Sequence, residues 1–182
     1  QYGADAVRFS ILLISPQGMD VLFSADRMEL GRNFMNKLWN AARFVKMNTP
    51  STELLPEMNE IETEFKLPEK WIISRLNSTI MDVNRRINKF QFNEAVKVIY
   101  DFTWSDYCDW MIEISKISLY GEDEKRKKCF QVVIVSVLNQ ILCLLHPFVP
   151  FITEELWHQF NNEDEGDIIL SKWPDSDKNK VD

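Results

Sequence analysis

The stretch from residue 30 to residue 52 carries charged side chains of one sign only. Its ionisable residues are all basic: Arg32, Lys37, Arg43 and Lys46. A solvent-exposed helix normally mixes acids with bases, because opposite charges three or four residues apart stabilise it. A surface that binds a nucleic acid backbone instead needs cations, which neutralise phosphates and release counterions. The charge pattern therefore predicts a phosphate-binding face.

Three asparagines share this stretch with the cations. Asn33, Asn36 and Asn40 fall on the same side of a helical wheel as Lys37 and Arg43. Asparagine has poor helix propensity, so three of them cost the helix stability unless their amides form hydrogen bonds elsewhere. Such amides can bond to base edges or to ribose hydroxyls of RNA. The alternative is that they bond to neighbouring helices inside the protein.

A second basic cluster precedes two phenylalanines, Phe90 and Phe92. Its cations are Arg75, Arg85, Arg86 and Lys89. Cations beside aromatic rings suit single-stranded or looped RNA, whose unstacked bases can lie on the rings. The alternative is a solvated helix face followed by two core phenylalanines. The acidic residues concentrate elsewhere in the chain, so one basic side is compatible with a net charge of −7.

Residues suited to catalysis or metal binding lack a recognised spacing. His146 precedes a proline at a helix end, and His158 stands at no recognised ligand or triad spacing. The three cysteines are Cys108, Cys129 and Cys143, and they form no Cys-x-x-Cys pair. This spacing favours buried thiols in a reducing compartment over a zinc site or a disulfide framework. No P-loop, nucleophile elbow or dinucleotide fingerprint occurs. We therefore expect no catalytic residue and no metal site.

Length and composition describe one compact domain. The 182 residues are 45% hydrophobic and 27% charged, close to the averages for soluble domains. No apolar run reaches the roughly 18 residues that a membrane span needs, and residues 1–5 do not resemble a secretory signal. Because apolar periodicity begins close to Gln1, we expect the chain to be a piece of a longer protein.

Hydrophobic periodicity predicts an all-α fold that positions these residues. Helices are expected at about 24–47, 68–90, 93–121, 122–146 and 150–160, with a helix or buried strand at 4–15 and a small strand at 168–170. Alternating spacings of four and three predict the buried seam of the helix at 93–121: Val96, Tyr100, Thr103, Tyr107, Trp110, Ile114 and Ile117. Short connections predict an antiparallel bundle. The polar end after Asp175 is expected to fray.

Four segments resemble a known family, in the same order. They are YGADAVRF at 2–9, GRNFMNKLWNAARFV at 31–45, WSDYCDWMIE at 104–113 and LHPFVPFITEELW at 145–157. The chain resembles the anticodon-binding domain of class I valyl-tRNA synthetases. The segments at 31–45 and 104–113 point to valine, whereas the other two are shared with isoleucyl and leucyl enzymes.

The resemblance implies a helical bundle that grips the anticodon stem and loop of a tRNA. Arg32, Lys37 and Arg43 would position phosphates, and the three asparagines would reach riboses or base edges. The candidates for stacking on bases are Trp39, Phe44 and Trp104, and Arg85 and Arg86 would add a second contact. The implied division is a junction with a catalytic core at 1–24, the bundle at 25–160 and a C-terminal tail at 161–182.

The resemblance also implies a parent enzyme that uses ATP to attach valine to its tRNA and that hydrolyses mischarged tRNA. The family's HIGH and KMSKS motifs do not occur in this sequence. The catalytic and editing domains, with ATP and Mg²⁺, would therefore belong to the rest of the parent chain, and this piece should be inactive alone. A cytoplasmic protein without a membrane or DNA partner is expected. The alternatives are the same domain of an isoleucyl enzyme, or a helical bundle that binds an acidic protein.

Overall fold

A computed structural model describes residues 2–15, 25–49, 55–161 and 166–181. The helices are α1 (Ala4–Ile14), α2 (Ala25–Asn48), α3 (Met58–Ile61), α4 (Leu67–Ile87), α5 (Phe92–Asp101), a π-helical segment (Phe102–Met111), α6 (Ile112–Leu119), α7 (Glu124–Leu145) and α8 (Pro150–Phe160). The described ranges contain no strand, which confirms the all-α prediction. The small strand predicted at 168–170 is wrong, because these residues form a 3-10 turn. Residue 24, the expected start of the helix predicted at 24–47, lies outside the described residues.

The segment at 4–15 is a helix that packs directly on α2. The ring of Phe9 stacks on the ring of Phe34 with centroids 4.5 Å apart. Gly31 lies at the crossing of the two helices, where an added Cβ would be 2.3 Å from the carbonyl oxygen of Ala6. Only glycine therefore allows this close approach, which brings the start of α2 against the rest of the bundle.

Asp5 joins α1 to the start of α8. Its buried carboxylate accepts hydrogen bonds from the backbone nitrogens of Phe151 (3.4 Å) and Ile152 (2.7 Å). These N–H groups belong to the first turn of α8, where the helix dipole favours a negative charge. Residues 4–14 are thus packed into the helical unit, while their role as a junction with a catalytic core stays a prediction.

The central helix of the bundle is α7. Its sequence is long and apolar enough to cross a membrane, and it is the one helix of the described ranges that meets this criterion. However, 78% of its most apolar window is buried inside the protein. It contacts α2, α4, α5, α6 and α8. Burial by neighbours on all sides is typical of the core helix of a soluble protein.

A buried ion pair joins α4 to the start of α7. The carboxylate of Glu69 is fully buried and accepts a hydrogen bond from the guanidinium of Arg126. Its second oxygen accepts from the backbone nitrogen of Lys66 at 3.0 Å, which caps α4. Because both carboxylate oxygens are satisfied, the charge is tolerated in the core.

The π-helical segment changes which residues of the helix at 92–119 face the core. Before it, Val96 is buried as the periodicity predicts, and Ile99 is buried in addition to the predicted residues. A π-helix closes its hydrogen bonds over five residues rather than four, as from Ile112 N to Tyr107 O. The buried face therefore rotates, and the residues that enter the core beyond Tyr107 are Cys108, Met111, Ile112, Ser115 and Leu119.

The predicted seam is consequently wrong in its second half. Trp110 and Ile117 were expected in the core, but they are 61% and 80% exposed. Ile114 is only partly buried and packs against the edge of the core. The prediction assumed one constant helical period, and a π turn violates that assumption.

The C-terminal residues lie along α4, so the prediction that they fray is wrong for the described part. The indole nitrogen of Trp173 donates to Asn84 Oδ1 at 2.7 Å, and the backbone nitrogen of Asp177 donates to Asn77 Oδ1 at 2.7 Å. Lys180 pairs with Glu62 at 3.1 Å. Composition did not reveal this, because the partners are two asparagines of α4 and Glu62, all of which are distant in the sequence.

The buried ion pair predicts a large loss of stability when one partner is removed. Replacing Arg126 by Met leaves the Glu69 carboxylate buried without its counter-charge, which should lower the free energy of unfolding by about 3 kcal/mol. Lys125→Met is the matched control, because Lys125 and its partner Glu64 are exposed, and it should cause no measurable change. Urea unfolding followed by circular dichroism tests both variants, and equal stabilities would contradict the role of the pair.

Candidate nucleic-acid interface

The outer ridge of α2 consists of four exposed residues: Asn33, Asn36, Asn40 and Arg43. The opposite stripe of the same helix is buried in the core: Phe34, Leu38, Ala41 and Val45. This division follows from helical spacing alone. Within the described ranges, the three asparagine side chains form no hydrogen bond, so the alternative in which they join neighbouring helices is not observed.

The cations of α2 differ in how strongly they are engaged. Arg43 is exposed and has no ion pair among the described residues. Arg32 pairs with Glu29 at 3.2 Å and lies 5.9 Å from the ring centroid of Tyr2. Lys46 donates to the backbone oxygen of Gln159 at 2.5 Å. Of the four predicted cations on α2, Arg43 is therefore the one that is most available to a ligand.

Lys37 is held between a ring and a carboxylate of the π-helical segment. Its Nζ lies 3.8 Å from the ring centroid of Trp104 and 2.5 Å from Asp109 Oδ1. The expectation of a face without acids is thus wrong for the folded protein, because the carboxylates of Asp109 and Glu29 pair with Lys37 and Arg32. The sequence window began at residue 30 and therefore excluded Glu29 of the same helix. It also could not include the carboxylate of Asp109, which a neighbouring helix supplies.

The three aromatic candidates also differ in access. Trp104 is half-buried beneath Lys37 and beside the ring of Tyr100 at 5.5 Å, and Phe44 is half-buried with Lys116 Nζ 5.6 Å from its ring centroid. Trp39 is 40% exposed. It borders an apolar cavity of about 530 Å³ between α1, α2 and α8. Of the three rings, Trp39 offers the largest open surface.

The second basic cluster is largely neutralised by acids. Arg85 and Arg86 both pair with Asp82, and Arg86 also pairs with Glu94. Burial raises the pKa of Asp82, but the hydrogen bonds and charges of Arg86 and Arg85 outweigh it and hold the pKa below its ordinary value. Arg85 and Arg86 therefore face local carboxylates as well as solvent, which weakens the case for a phosphate contact.

Phe90 and Phe92 are surface residues rather than core residues. They are 70% and 42% exposed, and their rings meet edge to face at 6.2 Å. Phe90 follows the end of α4 with a φ of 59°, a left-handed conformation that bulky residues rarely adopt. The alternative that places both rings in the core is wrong, because the chain turns there.

The two histidines have different surroundings. His146 Nδ1 lies 2.9 Å from Thr153 Oγ1 within the bundle. His158 Nε2 lies 3.2 Å from Glu154 Oε1 and 3.3 Å from Asp167 Oδ1. These three groups offer ligand atoms within 4.8 Å of one another, and the contacts of His158 with the two carboxylates account for their proximity. Sequence reasoning missed this cluster, although Glu154 precedes His158 by one helical turn.

The family follows from comparison with known proteins. The description "Anticodon-binding domain of tRNA ligase" matches residues 69–182, which is more than half of the chain. The chain belongs to this family of anticodon-binding domains. The match begins in α4, so the assignment of the domain is independent of the charge pattern of α2.

Curated relatives of this anticodon-binding domain extend the match to α2. A valine–tRNA ligase of Oceanobacillus iheyensis is 45% identical over 175 residues, which are 96% of this chain and 20% of the relative. A valine–tRNA ligase of Fusobacterium nucleatum is 44% identical over 185 residues, covering 100% of this chain and 21% of the relative. The chain thus spans about a fifth of these relatives.

Solved structures share the fold of the domain. A ternary complex of Agrobacterium radiobacter K84 LeuRS with tRNA and LeuAMS gives a TM-score of 0.69 at 22% identity, over 100% of this chain and 21% of that one. The apo methionyl-tRNA synthetase of Mycobacterium tuberculosis gives a TM-score of 0.70 at 17% identity, over 84% of this chain and 32% of that one. Together with the observed helices, these matches confirm the predicted helical bundle of the synthetase type.

The cysteines are predicted to be unreactive in the folded domain. All three are buried and free, and burial raises the pKa of the Cys108 thiol to about 12. Because the thiolate is the nucleophile, iodoacetamide at neutral pH should leave the folded protein unmodified and should alkylate it once urea is added. Mass spectrometry measures the extent of alkylation at each cysteine. Rapid alkylation of native Cys108 would contradict the packing of the π-helical segment.

Proposed function

We propose that this domain is the anticodon-binding domain of a valine–tRNA ligase and that the outer ridge of α2 contacts the tRNA. The observation that carries the proposal is the ridge itself, where exposed Arg43 continues a row of three exposed, unengaged asparagines. Cations position RNA through its phosphates, and amides can bond to riboses and bases. The names of the curated relatives support valine over isoleucine as the amino acid.

The parent enzyme would join valine to its tRNA with ATP and edit mischarged tRNA. ATP and Mg²⁺ would act in domains outside the matched fifth of the relatives, and those catalytic and editing domains would be partners within the same chain. The domain's own task is binding. It would orient the anticodon stem and loop so that the acceptor end reaches the catalytic domain in the cytoplasm.

Within this mechanism, Arg43 and Lys37 make unequal contributions. Arg43 can neutralise a phosphate without giving up an existing partner. Lys37 must exchange the Asp109 carboxylate for a phosphate, so its net gain is smaller. The ring of Trp104 keeps the Lys37 side chain in place during that exchange.

Salt dependence should reveal this difference. Arg43→Ala should weaken binding to the anticodon-arm hairpin of a valine tRNA and reduce the log–log salt slope by about 0.7 to 0.9. Lys37→Ala should reduce the slope by less. Lys70→Ala, an exposed cation on α4, is the control and should leave the slope unchanged. Fluorescence anisotropy over a range of salt concentrations gives all three slopes.

Competition separates the proposal from its rivals. Unlabelled hairpins from valine tRNA, isoleucine tRNA and an unrelated RNA are added to the same complex. Preferential displacement by the valine hairpin supports the proposal, and preference for the isoleucine hairpin would assign the domain to an isoleucyl enzyme. Equal displacement by all three would support a helical bundle that binds acidic partners in general.

A further inference from the structure

His158 lies between two carboxylates beside α8. Its Nε2 is 3.2 Å from Glu154 Oε1 and 3.3 Å from Asp167 Oδ1. Glu154 precedes His158 by four residues and therefore shares its face of α8. Asp167 directly precedes the 3-10 turn that follows α8 in the chain. We call Glu154, His158 and Asp167 the α8 cluster.

Hydrogen bonding alone matches the three groups of the α8 cluster poorly. The Nε2 atom of an imidazole carries at most one hydrogen, yet two carboxylate oxygens lie at nearly equal distances from it. Charge-assisted N–H···O bonds are about 2.7–2.9 Å long, and both distances here are longer. One shared hydrogen therefore does not satisfy both oxygens well.

A divalent cation would satisfy all three groups at once. Zn²⁺ binds imidazole nitrogens and carboxylate oxygens at about 2.0–2.2 Å, so tetrahedral ligands lie roughly 3.3–3.6 Å from one another. The two separations around His158 Nε2 are close to this range, and all three ligand atoms lie within 4.8 Å of one another. Water would complete the coordination, as it does in zinc sites with three protein ligands.

Contacts around the α8 cluster hold its ligands in position. Glu154 Oε1 also accepts a hydrogen bond from the backbone nitrogen of Ile168 at 3.1 Å. The indole nitrogen of Trp157 donates to the carbonyl oxygen of Gly166 at 3.0 Å. Asp167 is thus flanked on both sides by residues that are bonded to α8. Such outer contacts orient metal ligands and increase affinity.

We propose that the α8 cluster is a binding site for Zn²⁺, which fastens the segment after α8 to that helix. The side chains of Glu154, His158 and Asp167 are 30%, 45% and 64% exposed, so an ion can enter from solvent. An imidazole ligand favours zinc over Mg²⁺ and Ca²⁺, which prefer oxygen ligands. Spacing along the chain led to the expectation of no metal site, because the fold and not the sequence brings Asp167 beside α8.

Isothermal titration calorimetry of the whole chain with ZnCl₂ at neutral pH tests this site. We expect one Zn²⁺ to bind per molecule and Mg²⁺ to bind far more weakly. His158→Ala and Asp167→Asn should each weaken Zn²⁺ binding at least tenfold, since even the loss of an outer contact costs about 10- to 100-fold. Glu155→Gln is the matched control, because it removes an exposed carboxylate next to Glu154 without removing a ligand, and it should leave the affinity unchanged.

Two further measurements distinguish a built site from attraction by general negative charge. In NMR spectra, Zn²⁺ should shift the imidazole signals of His158 and leave those of His146, which contacts Thr153, in place. Zn²⁺ should also raise the midpoint of thermal unfolding of the wild type but not of His158→Ala. Circular dichroism checks the fold of every variant.

Three outcomes would overturn the zinc site. The first is no Zn²⁺ binding by the wild type, and the second is undiminished binding by a folded His158→Ala. The third is equal weakening by Glu155→Gln and Asp167→Asn, which would assign the binding to surface charge. None of these outcomes bears on the proposed tRNA contact, which involves residues of α2.

Discussion

The π-helical turn between α5 and α6 fixes the orientation of everything that follows it on this helix. Its anchor is Tyr107, a fully buried ring whose hydroxyl donates to the carbonyl oxygen of Ile134 on α7 at 2.7 Å. That hydrogen bond and the burial of Cys108 and Met111 hold the helix in its rotated orientation. Asp109 consequently faces α2, where it meets Lys37, and Trp110 faces solvent. π turns are often found at functional sites, and here one turn supplies both the acid and the ring.

The regular helices were predictable because a constant period describes them. The bounds of α2 and α8 follow from apolar spacing and from Pro150, and Phe34 and Leu38 are buried at the spacing of four that a regular helix requires. The exposure of Trp110 was not predictable, because no residue type marks a π turn. The placement of Trp173 against Asn84 also depends on the folded arrangement of residues far apart in sequence.

The candidate site was predictable in composition but not in its charge balance. Sequence located the row of asparagines and cations and placed it on an outer face. It could not show that Asp109 approaches Lys37 or that Glu94 approaches Arg86, because those contacts cross between helices. Asp82 stands three and four residues before Arg85 and Arg86 on α4, so that pairing could be predicted from the spacing. What remains after these pairings is Arg43 with three amides.

The asparagine side chains give the most direct test of RNA contact along α2. Titration of the ¹⁵N-labelled protein with the anticodon-arm hairpin of a valine tRNA can be followed by NMR through their side-chain NH₂ signals. We expect the signals of Asn33, Asn36 and Asn40 to shift, while those of Asn77 and Asn84 on α4 stay in place. Shifts confined to α4, with the α2 amides unchanged at saturation, would contradict it.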